Sequence, residues 1–466
     1  MCMTNLARIL LDRNSNWPEA IAYQDATSTI TYGELERRVK GLAGCFVQQG
    51  LLPGERVCTY LHDSINSVVV FLATIYAGGV AVPGNPRGRK ENIDYQIKLA
   101  DPRFVISEPL LVDHAVGIDQ FYYSQPIEQP VYGGDVAFML WTSGTTGHAK
   151  AVMHGHANAV AGAITTHEAY KNEPGDRLYC TSRFYFCFGL AHGLIQSMWA
   201  GCTALLDPHL ATPGHVKSNI ERFKPTMIFS VPVIYSQLIT RSKIGPLDCV
   251  CINSGDRLPQ ALLDAWEKET GQILVNQLGN TEMLIPLTLN WDGTTSVGKP
   301  VDGYAFTLVD EEGNELEDNE VGRLLIQGPS CSLGYWRDPE WTRRTYAEWL
   351  ITGDSFWRDK HGNYHYMGRV GDVIKVSGNW VNPVMIEETL QHHEDIEQAA
   401  VISKEGVNGV HRIEAYVVTK PGAELGNLRR WVLREHDRHS CPRQFHIVQE
   451  LPRTDSGKIQ RYKLRS

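Results

Sequence analysis

The sequence predicts an α/β protein, with a large N-terminal domain of mixed sheets flanked by helices and a small C-terminal α+β domain. Three observations carry this reading. Before residue 370, short apolar runs of strand length alternate with segments whose apolar residues follow helical spacing. At 466 residues the chain exceeds what one ordinary core serves, so two or more domains are expected. The stretch after Arg369 has strands and helices of its own, which sets the domains at 1–369 and 370–466.

The elements follow in order. Thr31 is placed to cap a helix, with Glu34 three residues on and Leu35, Val39, Leu42, Ala43 and Phe46 on one face. Gly50 stops it, and 55–60 reads as a strand. Residues 64–86 carry no charge and are long enough to raise a membrane span. Gly78-Gly79 breaks that run and 80–83 reads as a strand, so a buried helix feeding a buried strand is the expectation. Strands are then expected at 104–106, 136–140, 177–181, 202–206, 227–230 and 249–253, with a helix from His154 to about Tyr170. Further strands fall at 322–328, at 349–354 (ending on Asp354), and in the small domain at 373–376, 399–402 and 414–418.

Composition narrows the class. The chain is 42% hydrophobic and 21% charged, as soluble globular proteins are, and its net charge of −9 argues against a general nucleic-acid binder. The ten cysteines are scattered. Cys249 and Cys251 are the closest pair, a spacing that suits neither a zinc knuckle nor a redox pair. Buried free thiols in a reducing cytoplasm are expected. Residues 1–8 hold no apolar core of signal length.

The chemistry concentrates at Trp141-Thr142-Ser143-Gly144-Thr145-Thr146-Gly147-His148-Ala149-Lys150. Glycines let successive N–H groups converge on an anion, hydroxyls add donors, and lysine adds a full charge. This is chemistry for gripping phosphate. It is not a Walker loop, because two residues separate the glycines and Ala151 follows the lysine. A second cluster, Asn276-Gln277-Leu278-Gly279-Asn280-Thr281-Glu282, offers a hydroxyl and a carboxylate, the groups an ATP site needs for phosphate and Mg2+.

These stretches resemble the signatures of the adenylate-forming enzymes: acyl-CoA synthetases, aryl-acid ligases, adenylation domains and luciferases. Two more signatures follow in order: Thr352-Gly353-Asp354, and Pro452-Arg453-Thr454-Asp455-Ser456-Gly457-Lys458-Ile459. The pattern is most similar to benzoate-type aryl-CoA ligases. The resemblance implies that Thr142, Ser143, Gly144, Thr145, Thr146, Gly147 and Lys150 hold the β- and γ-phosphates, with Thr281 at the α-phosphate and Glu282 on Mg2+. It places Ser254, Gly255, Asn276, Leu278 and Gly279 around adenine, with Leu278 where a tyrosine is usual. Asp354 and Arg369 fall to the ribose.

Lys458 matches the lysine that bridges the acid and the α-phosphate; with Glu282, Thr281 and Thr142 it forms the expected catalytic set. Phe184, Cys187, Phe188, Gly189, His192, Gly279 and Ile285 line the implied acyl pocket. That segment has no aspartate to hold an ammonium, and an unpaired buried ammonium costs several kcal/mol, so an α-amino acid is disfavoured. His192 is expected either near the carboxylate or as a helix cap. Ser377, Gly378, Asn379 and Trp380 match the loop lining the thiol tunnel, and Gly371 stands at the hinge.

The expected reaction is activation of a carboxylic acid, an aromatic one, to acyl-AMP, then transfer to CoA. ATP and Mg2+ are required. A stand-alone adenylation enzyme loading a carrier-protein phosphopantetheine is the alternative. No nucleic acid or membrane span is expected, and a homodimer is compatible with the family.

Overall fold

The computed structural model describes residues 4–107, 115–118, 124–125, 127, 129–142, 149–284, 286–370, 374–376, 379–381, 383–405, 411–420, 422–423, 425–434, 436, 438, 440–453 and 459–464. Local chemistry starts the elements where the sequence suggests. The Thr31 side chain accepts the Glu34 amide and opens helix Tyr32–Gln48. Ser64 and Ser67 form a reciprocal capping box for helix Ile65–Tyr76, which buries nearly every side chain and feeds strand Val80–Pro83. No described helix is long and apolar enough to cross a membrane.

The chain divides into two compact units, residues 1–305 with 327–350, and residues 306–326 with 351–466. The first unit is built on two large sheets, with a two-stranded pairing of Thr288–Leu289 and Lys299–Pro300 beside them. One is ordered Phe104–Ser107, Arg56–Tyr60, Val80–Pro83, Val136–Thr142, Lys150–Gly155, parallel except for its last strand. The other is ordered Leu274–Asn276, Val250–Asn253, Met227–Ser230, Arg177–Cys180, Thr203–Leu205, Ile21–Gln24, Thr29–Thr31, again parallel except for the final hairpin. Trp266 and Tyr235, both fully buried and edge-on at 4.7 Å, anchor the core on one face of the larger sheet.

The second unit holds a sheet ordered Ala305–Val309, Val321–Gln327, Leu350–Arg358, Tyr364–Arg369, its last two strands antiparallel, and a three-stranded sheet of Ile396–Glu405, His411–Thr419 and Gln444–Ile447. Helix Pro383–Gln391 seals the smaller core through Ile386 and Leu390. Its Glu387, 4% exposed, takes a forked contact from Arg461 at 2.7 and 2.9 Å and the Val401 amide at 2.7 Å, tying the tail to the helix.

Several element ends differ from the sequence reading, and two of them bear on the site. His154 and Gly155 end strand Lys150–Gly155, and the helix starts only at His156, because the antiparallel pairing with Val136–Thr142 runs to Gly155. Asp354 does not end its strand. Pairing with Tyr364–Arg369 carries Leu350–Arg358 four residues further, with a register shift after Ser355.

Candidate active site

In the larger sheet, parallel neighbours place their C-terminal ends side by side, where ligands of such sheets bind. Asn253 lies opposite Asn276, and the Gln277 amide donates to the Asn253 carbonyl at 3.0 Å. Ser254 and Gly255 thereby meet the 276–279 segment; the Ser254 hydroxyl donates to the Gln277 carbonyl at 3.4 Å, and Gly255 sits at φ +86°. The Asn276 amide donates to the Thr295 and Ser296 carbonyls, so its side chain braces this turn. Leu278 is half-buried, its amide held by the Thr288 hydroxyl at 3.0 Å, and Gly279 is exposed and bridged to Pro286.

The turn that follows is locked. The Asn280 side chain accepts the Met283 amide at 2.8 Å, and Leu284 takes a left-handed φ of +67°, a costly conformation for leucine. Cys187 points its sulfur at the carbonyls of Asn280 and Leu284, each at 3.6 Å. The 184–192 segment and Thr281-Glu282 are thus brought together. Burial and the Glu282 charge push the Cys187 thiol up, which keeps it neutral.

Strand Arg177–Cys180 delivers the aromatic segment, and Phe184 is fixed by its amide donating to buried Asp63 at 3.2 Å. Gly189 has a packing reason to be glycine: a Cβ there would lie 2.2 Å from the Arg183 carbonyl oxygen. Phe188 meets the His192 ring edge-on at 4.9 Å, and His192 stacks on Phe229 at 4.2 Å.

His192 neither caps a helix nor stands free. It lies inside the helical run at 1% exposure. Gln277 donates to its Nε2 at 3.3 Å and its Nδ1 donates to Gln196 at 2.5 Å, which fixes the tautomer; Tyr170 and Asn172 complete the chain of hydrogen bonds.

Lys150 ends the phosphate stretch, directly opposite Thr142. Its ammonium lies 3.8 Å from Asp338 and 3.9 Å over the Trp341 ring. Residues 333–336 run along strand Lys150–Gly155, with Val152 bridged to Tyr335. The Tyr335 hydroxyl donates to Glu282 at 2.8 Å, and the Ser332 amide donates to the Glu282 carbonyl at 2.8 Å. One segment therefore braces both the lysine strand and the Glu282 turn. Tyr335, Asp338 and Trp341 were not among the expected site residues.

In the second unit, Arg369 Nε lies 3.3 Å from Asp354 across paired strands. Asn379 and Trp380 belong to strand Asn379–Val381, paired with Ile374–Val376. Ser143, Gly144, Thr145, Thr146, Gly147, Ile285, Gly371, Ser377, Gly378 and Lys458 lie outside the described residues.

The buried imidazoles give a prediction. Burial pulls His154 down to about 3, and His156 and His192 to about 4. Each returns to its ordinary 6.5 on unfolding, so stability falls as pH drops from about 6.5 toward 4. Asp63 opposes this. Burial outweighs nearby Arg183 and raises its carboxyl to about 7, so below pH 7 the folded chain takes that proton first and gains stability. Three imidazoles outweigh one carboxyl, and the net loss from pH 7 to 5 is expected to be about 3 kcal/mol. A melting temperature that stays level over that range would contradict it.

Comparison with known proteins bears on this site. The AMP-binding enzyme family matches residues 10–336, and its C-terminal domain matches residues 385–458. The 3-hydroxybenzoate–CoA ligase of Aromatoleum sp. (strain CIB) is 30% identical over 94% of this chain and 91% of its own length. The benzoate–CoA ligase of Thauera aromatica is 31% identical over 95% and 92%. The crystal structure of an anthranilate CoA ligase in complex with anthranoyl-AMP superposes with a TM-score of 0.92 at 27% identity, covering 100% of this chain and 97% of that one.

Proposed function

The chain belongs to the AMP-binding enzyme family, and on that premise we propose that it activates an aromatic carboxylic acid with ATP and passes the acyl group to CoA. The observation that carries the acid's class is the 184–192 segment: aromatic, without a carboxylate, its histidine held neutral, and packed through Cys187 against the Thr281–Glu282 turn. Relatives that act on benzoate and hydroxybenzoate support the same reading.

In the first step the acid's carboxylate oxygen attacks the α-phosphorus of ATP. The bond to the β-phosphate oxygen breaks and pyrophosphate leaves. Such a displacement asks the protein for alignment and charge cancellation. Thr142, the hydroxyls of 143–146 and Lys150 hold the β- and γ-phosphates. Thr281 holds the α-phosphate, Ser254 to Gly279 seat adenine, and Asp354 with Arg369 take the ribose. The Glu282 carboxylate, aimed by Tyr335, is a hard oxygen donor suited to Mg2+, which when bound spreads the phosphate charge.

Lys458 neutralises charge between acid and α-phosphate. In the second step the residues after 369 turn about Gly371, and 377–380 guide the thiol. The thiol sulfur then attacks the acyl carbonyl, the bond to AMP breaks, and a thioester forms.

A panel of pyrophosphate-exchange assays over aryl, alkyl and α-amino acids, with and without CoA, tests this. Aryl acids should exchange fastest, and release of AMP with thioester should require CoA. A preference for any α-amino acid would overturn the acid class. Full turnover only with a carrier protein would overturn the acceptor.

A further inference from the structure

Outside this site, three side chains converge at the far end of strand Thr203–Leu205. Asp207 follows the strand, His209 lies on the next loop, and His215 sits in the first turn of helix Pro213–Phe223. His209 Nδ1 is 3.2 Å and His215 Nε2 3.0 Å from the same Asp207 Oδ1, and the three ligand atoms lie within 4.8 Å of one another. Around a tetrahedral ion with bonds of about 2.0–2.1 Å, neighbouring ligand atoms lie about 3.3 Å apart. The two aspartate–histidine spacings are already near that value.

The carboxylate is built in place. Asp207 is 5% exposed. Its Oδ2 accepts from Asn219 at 2.9 Å and from Tyr179 at 3.3 Å, and its carbonyl accepts from Arg183. Such outer partners fix a ligand's orientation before an ion arrives. The imidazoles are more open, His209 by 61% and His215 by 33% of their side chains, so an ion has a path in. Arg183 has the Asp63 carboxyl group 3.9 Å away on its other side.

We propose that Asp207, His209 and His215 form a binding site for a divalent transition-metal ion of the zinc class. Two imidazoles and one carboxylate select Zn2+, Ni2+ or Cu2+ over Mg2+, so the ion is distinct in kind from the one that accompanies ATP. In the metal-free arrangement both imidazoles donate to Oδ1. To ligate, each ring presents an unprotonated nitrogen to the metal, with its proton on the other ring nitrogen. The bound ion then clips the 207–215 loop to the strand and the helix.

The test uses the full chain stripped of metal, with excess Mg2+ present. Titration with Zn2+ by calorimetry and with Co2+ by visible absorption should show one high-affinity ion per chain, Co2+ bands of a low-symmetry nitrogen–oxygen site, and a raised melting temperature. His215→Ala should weaken binding by at least about 10-fold, and His209→Ala with His215→Ala should abolish it while the metal-free melting temperature stays put. Cys249→Ser with Cys251→Ser, which removes two thiols 4.0 Å apart, should leave binding unchanged. Absence of binding to the wild type, undiminished binding to the double histidine variant, or loss of binding with the cysteines would each overturn the proposal.

Discussion

Lys458→Ala is expected to slow acid-dependent ATP–pyrophosphate exchange by about 10²–10³-fold, the cost of losing a charged donor at a displacement centre, about 3–4 kcal/mol. Conversion of preformed acyl-AMP to thioester should stay close to the wild-type rate. The asymmetry follows from the division of labour proposed above, in which the lysine serves only the first step. The chain around it is anchored for this. Arg453 and Ile459 are bridged in antiparallel fashion, and the Gln460 amide donates to the Pro452 carbonyl at 2.8 Å. The next residue, Arg461, is clamped by buried Glu387.

Arg461→Ala therefore supplies the contrast: it loosens the anchor without removing the ammonium. It should reduce exchange less than Lys458→Ala does, with a lower melting temperature for the second unit. Equal loss of both half-reactions in Lys458→Ala would break the assignment.

The fold was legible because periodicity and capping are local. Thr31 with Glu34, the Gly78-Gly79 break and the alternation of strands and helices each announce themselves within a few residues. The adenine-side turns were legible as motifs, and the topology explains why they meet: Asn253 and Asn276 end adjacent parallel strands. What the sequence hid are contacts between distant residues. Tyr335 reaches Glu282 across 53 positions, and Lys150 is set by Asp338 and Trp341 on the same returning segment. His192 looked like a group in search of a role, yet its partners lie 4 and 85 positions away. Asp207, His209 and His215 escaped notice because strand end, loop and helix give them no common periodicity.

The contact between Tyr335 and Glu282 leads to the second large effect. Glu282→Gln keeps an oxygen for the tyrosine to donate to and removes the negative charge. Exchange should fall by about 10²–10³-fold, the scale of losing one electrostatic partner of the transferring phosphates, with a higher Mg2+ concentration needed for half-maximal rate. Tyr335→Phe keeps the charge and removes its guide. Losing a hydrogen bond to a charged group costs about 1.5–3 kcal/mol at most, so a drop of about 10-fold is expected.

Burial and the Glu282 charge hold the Tyr335 hydroxyl well above its ordinary pKa. It remains a donor throughout the working pH range, so the Tyr335→Phe deficit should be independent of pH. Measuring both variants against Mg2+ concentration separates the roles. The charge belongs to Glu282 if only Glu282→Gln shifts the Mg2+ requirement strongly, and equal shifts would mean that the tyrosine itself meets the ion or the phosphates.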